Sequence, residues 1–205
     1  MTTPEIPRAS SLQTRKQAVV RDAIWNAAID LFHAASFDDV TVDQIAVRAG
    51  VSRRTFFRYF SSKEDLMGSS ARSYGNALMV AIANERSEYA PIDVAKRAIL
   101  KVLHPYLPST ERVIQIARQS ASARNAQLHQ APMIQEALAN AFAIRLNRGG
   151  SLCIEDRILA SITLFATGLS VEIWVEEKHR PLAEIVEDVF RRLSRVCLLE
   201  NLKDC

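Results

Sequence analysis

The feature of this sequence that most constrains its fold is the segment 41–66, in which two short helical patterns meet at one glycine, Gly50. Glycine adopts a left-handed backbone conformation at the least cost, so it is expected just beyond the end of a helix. The 20 residues 44–63 contain five basic side chains and no Asp or Glu. A tight pair of short helices without acidic side chains suits the major groove of DNA. We therefore expect this segment to bear on function as well as on fold.

Polar side chains in the same segment predict where each helix begins. Thr41 and Gln44 have the spacing of a capping box at the start of one helix. Ser52 is suited to cap the next helix, and Ser61 and Ser62 offer a cap for a fourth. We expect apolar side chains to fill the corner between the paired helices. They are Ile45, Val51, Phe56 and Phe60.

Net charge alone is weak support for a nucleic-acid partner. The formal net charge is +3, and residues 1–66 carry nine Lys or Arg against eight Asp or Glu. The distinctive property of 44–63 is the segregation of charge, because acidic residues precede and follow this window without entering it. The basic surface is therefore assigned to one pair of helices and not to the chain as a whole.

Apolar side chains recur at three- and four-residue steps along most of the chain, with no convincing pair of strands. We predict an all-α fold of about nine helices. A disordered N-terminal arm, 1–14, would precede a three-helix helix-turn-helix domain, 15–62, and a C-terminal helical bundle, 63–205. Because proline disrupts helix interiors, we expect the fifth helix to stop at Pro105 and Pro108.

The order of residues in the helix-turn-helix segment matches a recurring pattern. The matching residues are Gly50, Val51, Ser52, Thr55, Phe60, Lys63 and Leu66, together with the preceding Phe32, Phe37, Thr41, Ile45 and Ala46. In this order they resemble the DNA-binding domain of the tetracycline-repressor (TetR) family of bacterial regulators. The resemblance covers roughly residues 15–66. The rest of the chain is similar to that family only as a helical bundle of suitable length.

The resemblance implies which side chains contact DNA. Arg53 and Arg54 resemble base-reading positions, and an Arg matches the O6 and N7 acceptors of guanine. Thr55, Tyr59 and Lys63 resemble phosphate-contacting positions, which set register more than sequence. The complete set of predicted DNA contacts is Thr41, Ser52, Arg53, Arg54, Thr55, Phe57, Arg58, Tyr59 and Lys63.

Two positions depart from the family pattern. Phe57 stands where the family often has Tyr, so a hydroxyl contact is replaced by an apolar one, for instance to a thymine methyl group. Tyr59 replaces the common His and still donates through its hydroxyl. The base preference of a relative is therefore not transferred to this chain.

Specific DNA binding by one recognition helix usually needs a dimer. The eighth predicted helix is apolar nearly all round, and a helix without a polar face is covered on every side. The family resemblance implies a homodimer through a four-helix interface built from helices 8 and 9. Candidate interface residues are Leu164, Trp174, Val189 and Leu193. The alternative is a core formed entirely within one chain.

The resemblance also implies a small-molecule effector bound in the C-terminal bundle. Candidate pocket residues are Arg118, His129, Phe165, Leu169 and Glu172. Glu172 shares a helical face with Phe165 and Leu169, and, if buried, it would orient a ligand. The alternative is that these are ordinary polar side chains or ion pairs. A softer similarity is to family members with acyl-CoA-like ligands, which implies a fatty-acyl or other apolar effector.

Other classes of function find little support in the sequence. With no glycine-rich phosphate loop, nucleophile elbow or metal-ligand cluster, we expect no enzyme, no cofactor and no metal. Three cysteines without zinc spacing suit a reducing cytoplasm. The longest uncharged apolar run, 158–171, is short for a membrane span, so we predict a cytoplasmic protein without a membrane partner. The leading hypothesis is a repressor released by its effector. The alternative is a DNA-binding regulator with no small-molecule ligand, controlled by a protein partner or acting as an activator.

Overall fold

A computed structural model describes residues 8–86, 88–146 and 152–197, and every regular element within those ranges is an α-helix. This confirms the all-α prediction. The helices are α1 (Arg8–Ala34), α2 (Val42–Arg48), α3 (Arg53–Tyr59), α4 (Lys63–Ala83), α5 (Pro91–Gln119), α6 (Ala121–Leu128), α7 (Ala131–Arg145), α8 (Ile154–Glu176) and α9 (Leu182–Cys197).

The first helix begins earlier than the sequence suggested. The predicted arm covered 1–14, but α1 starts at Arg8, so residues 8–14 are helical. This stretch contains neither Pro nor Gly, and a helix extends at little cost once its first turn exists. Residues 1–7 of the predicted arm lie outside the described residues. With residues 8–14 included, α1 has 27 residues.

The fifth helix also contradicts the sequence prediction, because α5 continues through Pro105 and Pro108 to Gln119. A proline inside a helix removes one backbone hydrogen bond and costs about 3 kcal/mol. Burial on both sides of the prolines offsets that cost. The buried apolar residues of α5 are Val94, Ala95, Ala98, Ile99, Val102 and Leu103 before the prolines, and Val113 and Ile116 after them.

The chain divides into two compact units, but not at the predicted boundary between residues 62 and 63. Unit 1 contains the described residues up to Ser69 and, in addition, Arg112–Gln127. Unit 2 contains Ser70–Glu111 and the described residues from Leu128 onward. The domain that begins the chain is therefore completed by a second segment from the end of α5 and from α6.

Unit 1 has one apolar core, and it explains why the second segment belongs there. Ile24, Phe32 and Phe37 lie in the same cluster of buried side chains as Phe56 and Phe60 of the helix-turn-helix. The second segment contributes four residues to this cluster. They are Val113, Ile116, Ala123 and Ala126.

Polar contacts reinforce the attachment of the second segment within unit 1. Ser120 caps α6 by accepting a hydrogen bond from the Ala123 N–H at 3.1 Å, and its hydroxyl donates to Asp38 at 3.0 Å. Arg112 pairs with Asp30 of α1 at 2.5 Å. These bonds link positions 82 residues apart in the chain, so unit 1 is held by long-range as well as local contacts.

Unit 2 is built on α7, α8 and α9, joined by the first part of α5 and most of α4. At Gly75 of α4 the packing is so close that a Cβ would lie 2.8 Å from the Ile134 side chain. The buried hydroxyls of Thr163 and Thr167 donate to carbonyl oxygens four residues earlier in α8. Such back-bonds satisfy polar groups without a partner helix.

The helix α8 is longer than the apolar run 158–171 that the sequence analysis described as short for a membrane span. The helix has 23 residues, and by length and mean hydropathy it is the one described helix that could cross a membrane. The core helix of a soluble protein has the same length and mean hydropathy. A third of its most apolar window is buried within this chain. The remaining apolar surface of α8 is exposed in the single chain, and such a surface is typical of a site that contacts another molecule.

Candidate nucleic-acid interface

The turn between α2 and α3 has the geometry that the capping residues predict. Thr41 accepts a hydrogen bond from the Gln44 N–H at 3.3 Å, and the Gln44 side chain accepts one from the Thr41 N–H at 2.8 Å. Gly50 has a φ of +67°. Its N–H donates to Val47, and the next N–H donates to Ala46, which together close α2 in a Schellman motif. The capping box and the glycine turn are confirmed.

The start of α3 is fixed by Ser52, as predicted. Its hydroxyl accepts a hydrogen bond from the Thr55 N–H at 3.1 Å and lies 2.9 Å from the Thr55 hydroxyl. Both hydroxyls keep further hydrogen-bonding capacity, because each oxygen has two lone pairs. The predicted phosphate contacts of Thr41, Ser52 and Thr55 remain predictions, and all three side chains also serve as local caps.

Aromatic residues anchor α3 to the core and leave one ring outside. Phe56 is fully buried, with its ring centre 5.9 Å from that of Phe60. Phe57 meets Phe56 edge to face at 5.5 Å, and 44% of its surface is exposed. The exposed Phe57 ring is therefore held in place from beneath and is available for the apolar contact that the sequence predicts.

Arg53, at the first position of α3, is held by two neighbours. Its Nη1 lies 2.6 Å from a carboxylate oxygen of Asp43 on α2. Its guanidinium carbon lies 5.4 Å from the centre of the Phe57 ring. The Arg53 and Asp43 side chains are each 61% exposed. The pair is therefore accessible to a ligand that approaches the outer face of α3.

The other basic residues of α3 are exposed in different ways. Arg54 is exposed beside Arg53. Arg58 is exposed and lies 5.1 Å from the centre of the Tyr59 ring, which stiffens its stem. Tyr59 is half-buried. Arg48 of α2 lies 3.8 Å from Asp30, consistent with a helix-pairing role for this residue. Together, Arg53, Arg54 and Arg58 make α3 a positively charged face.

Lys63 is engaged within the protein. Its Nζ donates to the carbonyl oxygens of Phe37, Asp38 and Val40 at 2.8, 2.9 and 3.0 Å. It also lies 4.8 Å from the centre of the Phe37 ring. An ammonium group has three donors, and all three have acceptors here. Lys63 therefore ties the α1–α2 turn to the start of α4, and its predicted phosphate contact competes with these bonds.

Comparison with known proteins gives the same result as the geometry. Residues 24–69 match the sequence model of the family described as bacterial regulatory proteins, tetR family. Over these residues the chain is similar to the tetR family. The matched range runs from the buried Ile24 of α1 to Ser69 of α4, so it includes the whole α2–turn–α3 device.

Named relatives share part of this sequence similarity. The transcriptional regulator TcmR of Streptomyces glaucescens is 32% identical over 101 residues, which are 49% of this chain and 45% of TcmR. The chain spans less than half the length of the curated relatives it matches. The sequence likeness to these relatives therefore covers about half of this chain or less.

Solved structures resemble the fold of this chain over about nine-tenths of its length. A structure from Syntrophomonas wolfei assigned to this family has a TM-score of 0.62 at 18% identity, over 90% of this chain and 98% of that one. FadR of Thermus thermophilus, a transcriptional repressor solved with lauroyl-CoA, has a TM-score of 0.50 at 22% identity, over 90% of this chain and 98% of FadR. At these identities the likeness shows the fold alone.

Most of the predicted pocket residues are exposed in the structure. Arg118 is exposed and belongs to unit 1. In unit 2, His129, Phe165 and Glu172 are exposed, and Leu169 is half-buried. Pocket-lining side chains usually turn inward, so the structure lends these positions little support. They stay predictions.

Two depressions in unit 2 are open surface grooves. One, of about 430 Å³, lies between α4 and α5 and is lined by Ser73, Asn76, Ala77, Val80, Ala81, Asn84 and Lys101. The other, of about 440 Å³, lies along α9 and is lined by Arg180, Ala183, Glu184, Glu187 and Arg191. Neither is an enclosed apolar cavity of the kind that takes up most of a ligand's surface.

The predicted dimer residues are placed unevenly. Leu164, Trp174 and Leu193 are half-buried, and Val189 is buried. The exposed face of α8 is a different stripe, spaced alternately four and three residues apart. It consists of Ile154, Ile158, Ser161, Phe165, Gly168 and Glu172. Three large apolar side chains in this stripe are exposed to 73%, 50% and 58%: Ile154, Ile158 and Phe165. We call this set of six residues the α8 stripe.

Sequence reasoning missed the role of Asp43 and the identity of the α8 stripe. Asp43 directly precedes the basic window, and its ten-residue separation from Arg53 gives no local signal of a contact. The stripe was hidden because α8 is apolar on every side, so a helical wheel does not distinguish an inward face from an outward one.

Proposed function

We propose that this chain is a transcriptional regulator that binds double-stranded DNA as a homodimer. The observation that carries the proposal is the rigid, capped α2–turn–α3 device with three exposed arginines on α3: Arg53, Arg54 and Arg58. A helix of this kind enters the major groove with its N-terminal residues against the base edges. Arg53 and Arg54 are then the base-reading residues, and the exposed Phe57 ring adds apolar contact.

Arg54→Ala tests this assignment. We expect the variant to lose discrimination at one base pair per half-site by roughly 10-fold, because one good arginine–guanine contact is worth about 1–3 kcal/mol. The measurement is selection from a randomised pool of double-stranded DNA, followed by binding titrations with single-base variants of the selected site. Arg191→Ala, which removes an exposed arginine of α9, serves as the charge-matched control and should keep the wild-type preference. If the wild-type chain selects no sequence from the pool, the proposed function is wrong.

The dimer in this proposal is supported by the α8 stripe. Exposed isoleucine and phenylalanine side chains on one face of a long apolar helix are typical of a subunit interface. A two-fold axis then relates two recognition helices, and it requires half-sites about 34–36 Å apart, or a multiple of that distance. The operator of this chain is accordingly pseudo-palindromic.

For the effector, we propose a fatty-acyl or other extended apolar molecule that releases the DNA. The support is the fold shared with Thermus thermophilus FadR, which was solved with lauroyl-CoA. Native mass spectrometry and thermal shifts with acyl-CoA esters of increasing chain length test this, with free CoA as the matched control. We expect the acyl-CoA ester to weaken DNA binding by the same factor by which DNA weakens binding of the ester, because the coupling free energy between two sites is reciprocal. An absence of binding at every chain length would refute the acyl effector and leave the DNA-binding proposal intact.

A second candidate is a DNA-binding regulator without a small-molecule effector, acting as a repressor or an activator under control of a protein partner. The observation that favours it is that the two grooves described above are open and four of the five predicted pocket residues are exposed. The acyl-CoA panel separates the two candidates. A transcription assay on the selected operator, with and without the bound effector, distinguishes repression from activation.

A further inference from the structure

The last acidic residue before the basic window, Asp43, makes a direct contact with a residue of the reading helix. Asp43 lies in the first turn of α2, and its carboxylate accepts a hydrogen bond from Arg53 Nη1 at 2.6 Å. An ion pair with both partners 61% exposed contributes little to stability, because water screens the charges. The contact therefore has a larger effect on where the guanidinium points than on whether the domain folds.

A second contact fixes the same guanidinium from another side. Its carbon lies 5.4 Å from the centre of the Phe57 ring. Phe57 is in turn held edge to face by the fully buried Phe56. The Arg53 side chain is thus confined between a carboxylate on α2 and an anchored ring on α3 before any DNA is present. An arginine has five N–H donors, so the Asp43 contact leaves donors available for a base.

We propose that Asp43 is a positioning residue for base recognition, which orients the Arg53 guanidinium in the free protein and thereby sharpens sequence preference. The inference rests on the proposed function, because it needs Arg53 to read a base. Two physical effects act in the same direction. Ordering Arg53 in advance reduces the entropy lost on binding. The Asp43 charge also repels DNA phosphates, which disfavours non-specific complexes.

The test is Asp43→Asn, which removes the charge and keeps the side-chain size. We expect the ratio of specific to non-specific affinity to fall about three- to ten-fold, in line with freeing one long side chain. The loss of preference should be confined to the base pairs whose recognition Arg53→Ala also impairs. Asp43→Glu retains the carboxylate and should restore most of the preference. The readout is the same pool selection followed by single-base titrations, with the full-length chain.

A double-mutant cycle separates positioning from a general effect of charge. If Asp43 acts through Arg53, Asp43→Asn should leave base preference unchanged in an Arg53→Ala background. Asp22→Asn, an equal charge change at an exposed position of α1, should leave preference unchanged in the wild-type background. The inference is overturned if Asp43→Asn keeps the wild-type base preference. It is also overturned if Asp43→Asn changes base preference equally in the wild-type and Arg53→Ala backgrounds. In both cases the proposed function still holds as long as the wild type selects a DNA sequence. Failure of the wild type to select any sequence overturns the proposed function and this inference with it.

Discussion

Lys63→Met should lower the melting temperature by roughly 6–12 °C and leave the salt dependence of DNA binding unchanged. Lys63 Nζ donates to three backbone carbonyls of the α1–α2 turn. Loss of these charge-assisted bonds costs about 3 kcal/mol, and in a chain of this size each kcal/mol corresponds to roughly 2–4 °C. The measurements are thermal unfolding by circular dichroism and DNA titrations at several salt concentrations, well below the melting temperature.

The salt dependence decides between the two roles of Lys63. A phosphate contact, as expected from the family resemblance, contributes about 0.9 to the slope of log affinity against log salt. A residue occupied by Phe37, Asp38 and Val40 contributes almost nothing to it. Lys63→Arg is the matched control, because it keeps the charge but its planar fork does not direct three donors at converging carbonyls. We expect the Arg variant to be destabilised as well. A stable Met variant with a reduced slope would instead establish the phosphate contact.

Phe165→Glu should convert the protein into a monomer and reduce its affinity for the full operator about 100-fold or more. Phe165 is at the middle of the α8 stripe and 58% exposed in the single chain. A carboxylate there is tolerated by the monomer but would be buried without a partner in a two-fold interface. A monomer has only one helix-turn-helix domain, so it loses the gain in affinity from binding two linked half-sites, commonly a factor of 10²–10⁴. Sedimentation and operator titrations measure the two effects.

Two further variants make this result specific to the α8 stripe. Ile158→Glu alters a neighbouring stripe residue and should reproduce the dissociation. Val80→Glu alters an equally exposed apolar residue of α4, at 53%, and should remain dimeric with wild-type affinity for the operator. If the Phe165→Glu variant stays dimeric but no longer binds an apolar effector, Phe165 lines a ligand pocket and not the dimer interface.

The sequence predicts those parts of the structure that depend on neighbours a few residues away. The capping box of Thr41 and Gln44, the positive φ of Gly50 and the Ser52 cap all involve partners within five residues, and all three are confirmed. The candidate DNA surface on α3 follows from them, because once the start of α3 is fixed, the outward positions of a seven-residue helix are fixed as well.

Features that depend on distant partners were not predictable. The continuation of α5 through Pro105 and Pro108 requires burial that no local signal reports. The three acceptors of Lys63 lie 23 to 26 residues earlier in the chain. The exposed face of α8 is set by how the helix packs in unit 2, since its composition is apolar on all sides. In each case tertiary packing overrides local propensity.

The split composition of unit 1 has a consequence for the order of folding during synthesis. The core of unit 1 includes Val113, Ile116, Ala123 and Ala126. The helix-turn-helix domain therefore lacks part of its apolar interior until residue 127 has been made. At about 5–20 residues per second, the 58 residues between Ser69 and Gln127 delay completion by several seconds. During that interval Ile24 and Phe32 lack some of their final neighbours. The nascent chain is therefore expected to acquire DNA affinity late, after α6 has left the ribosome.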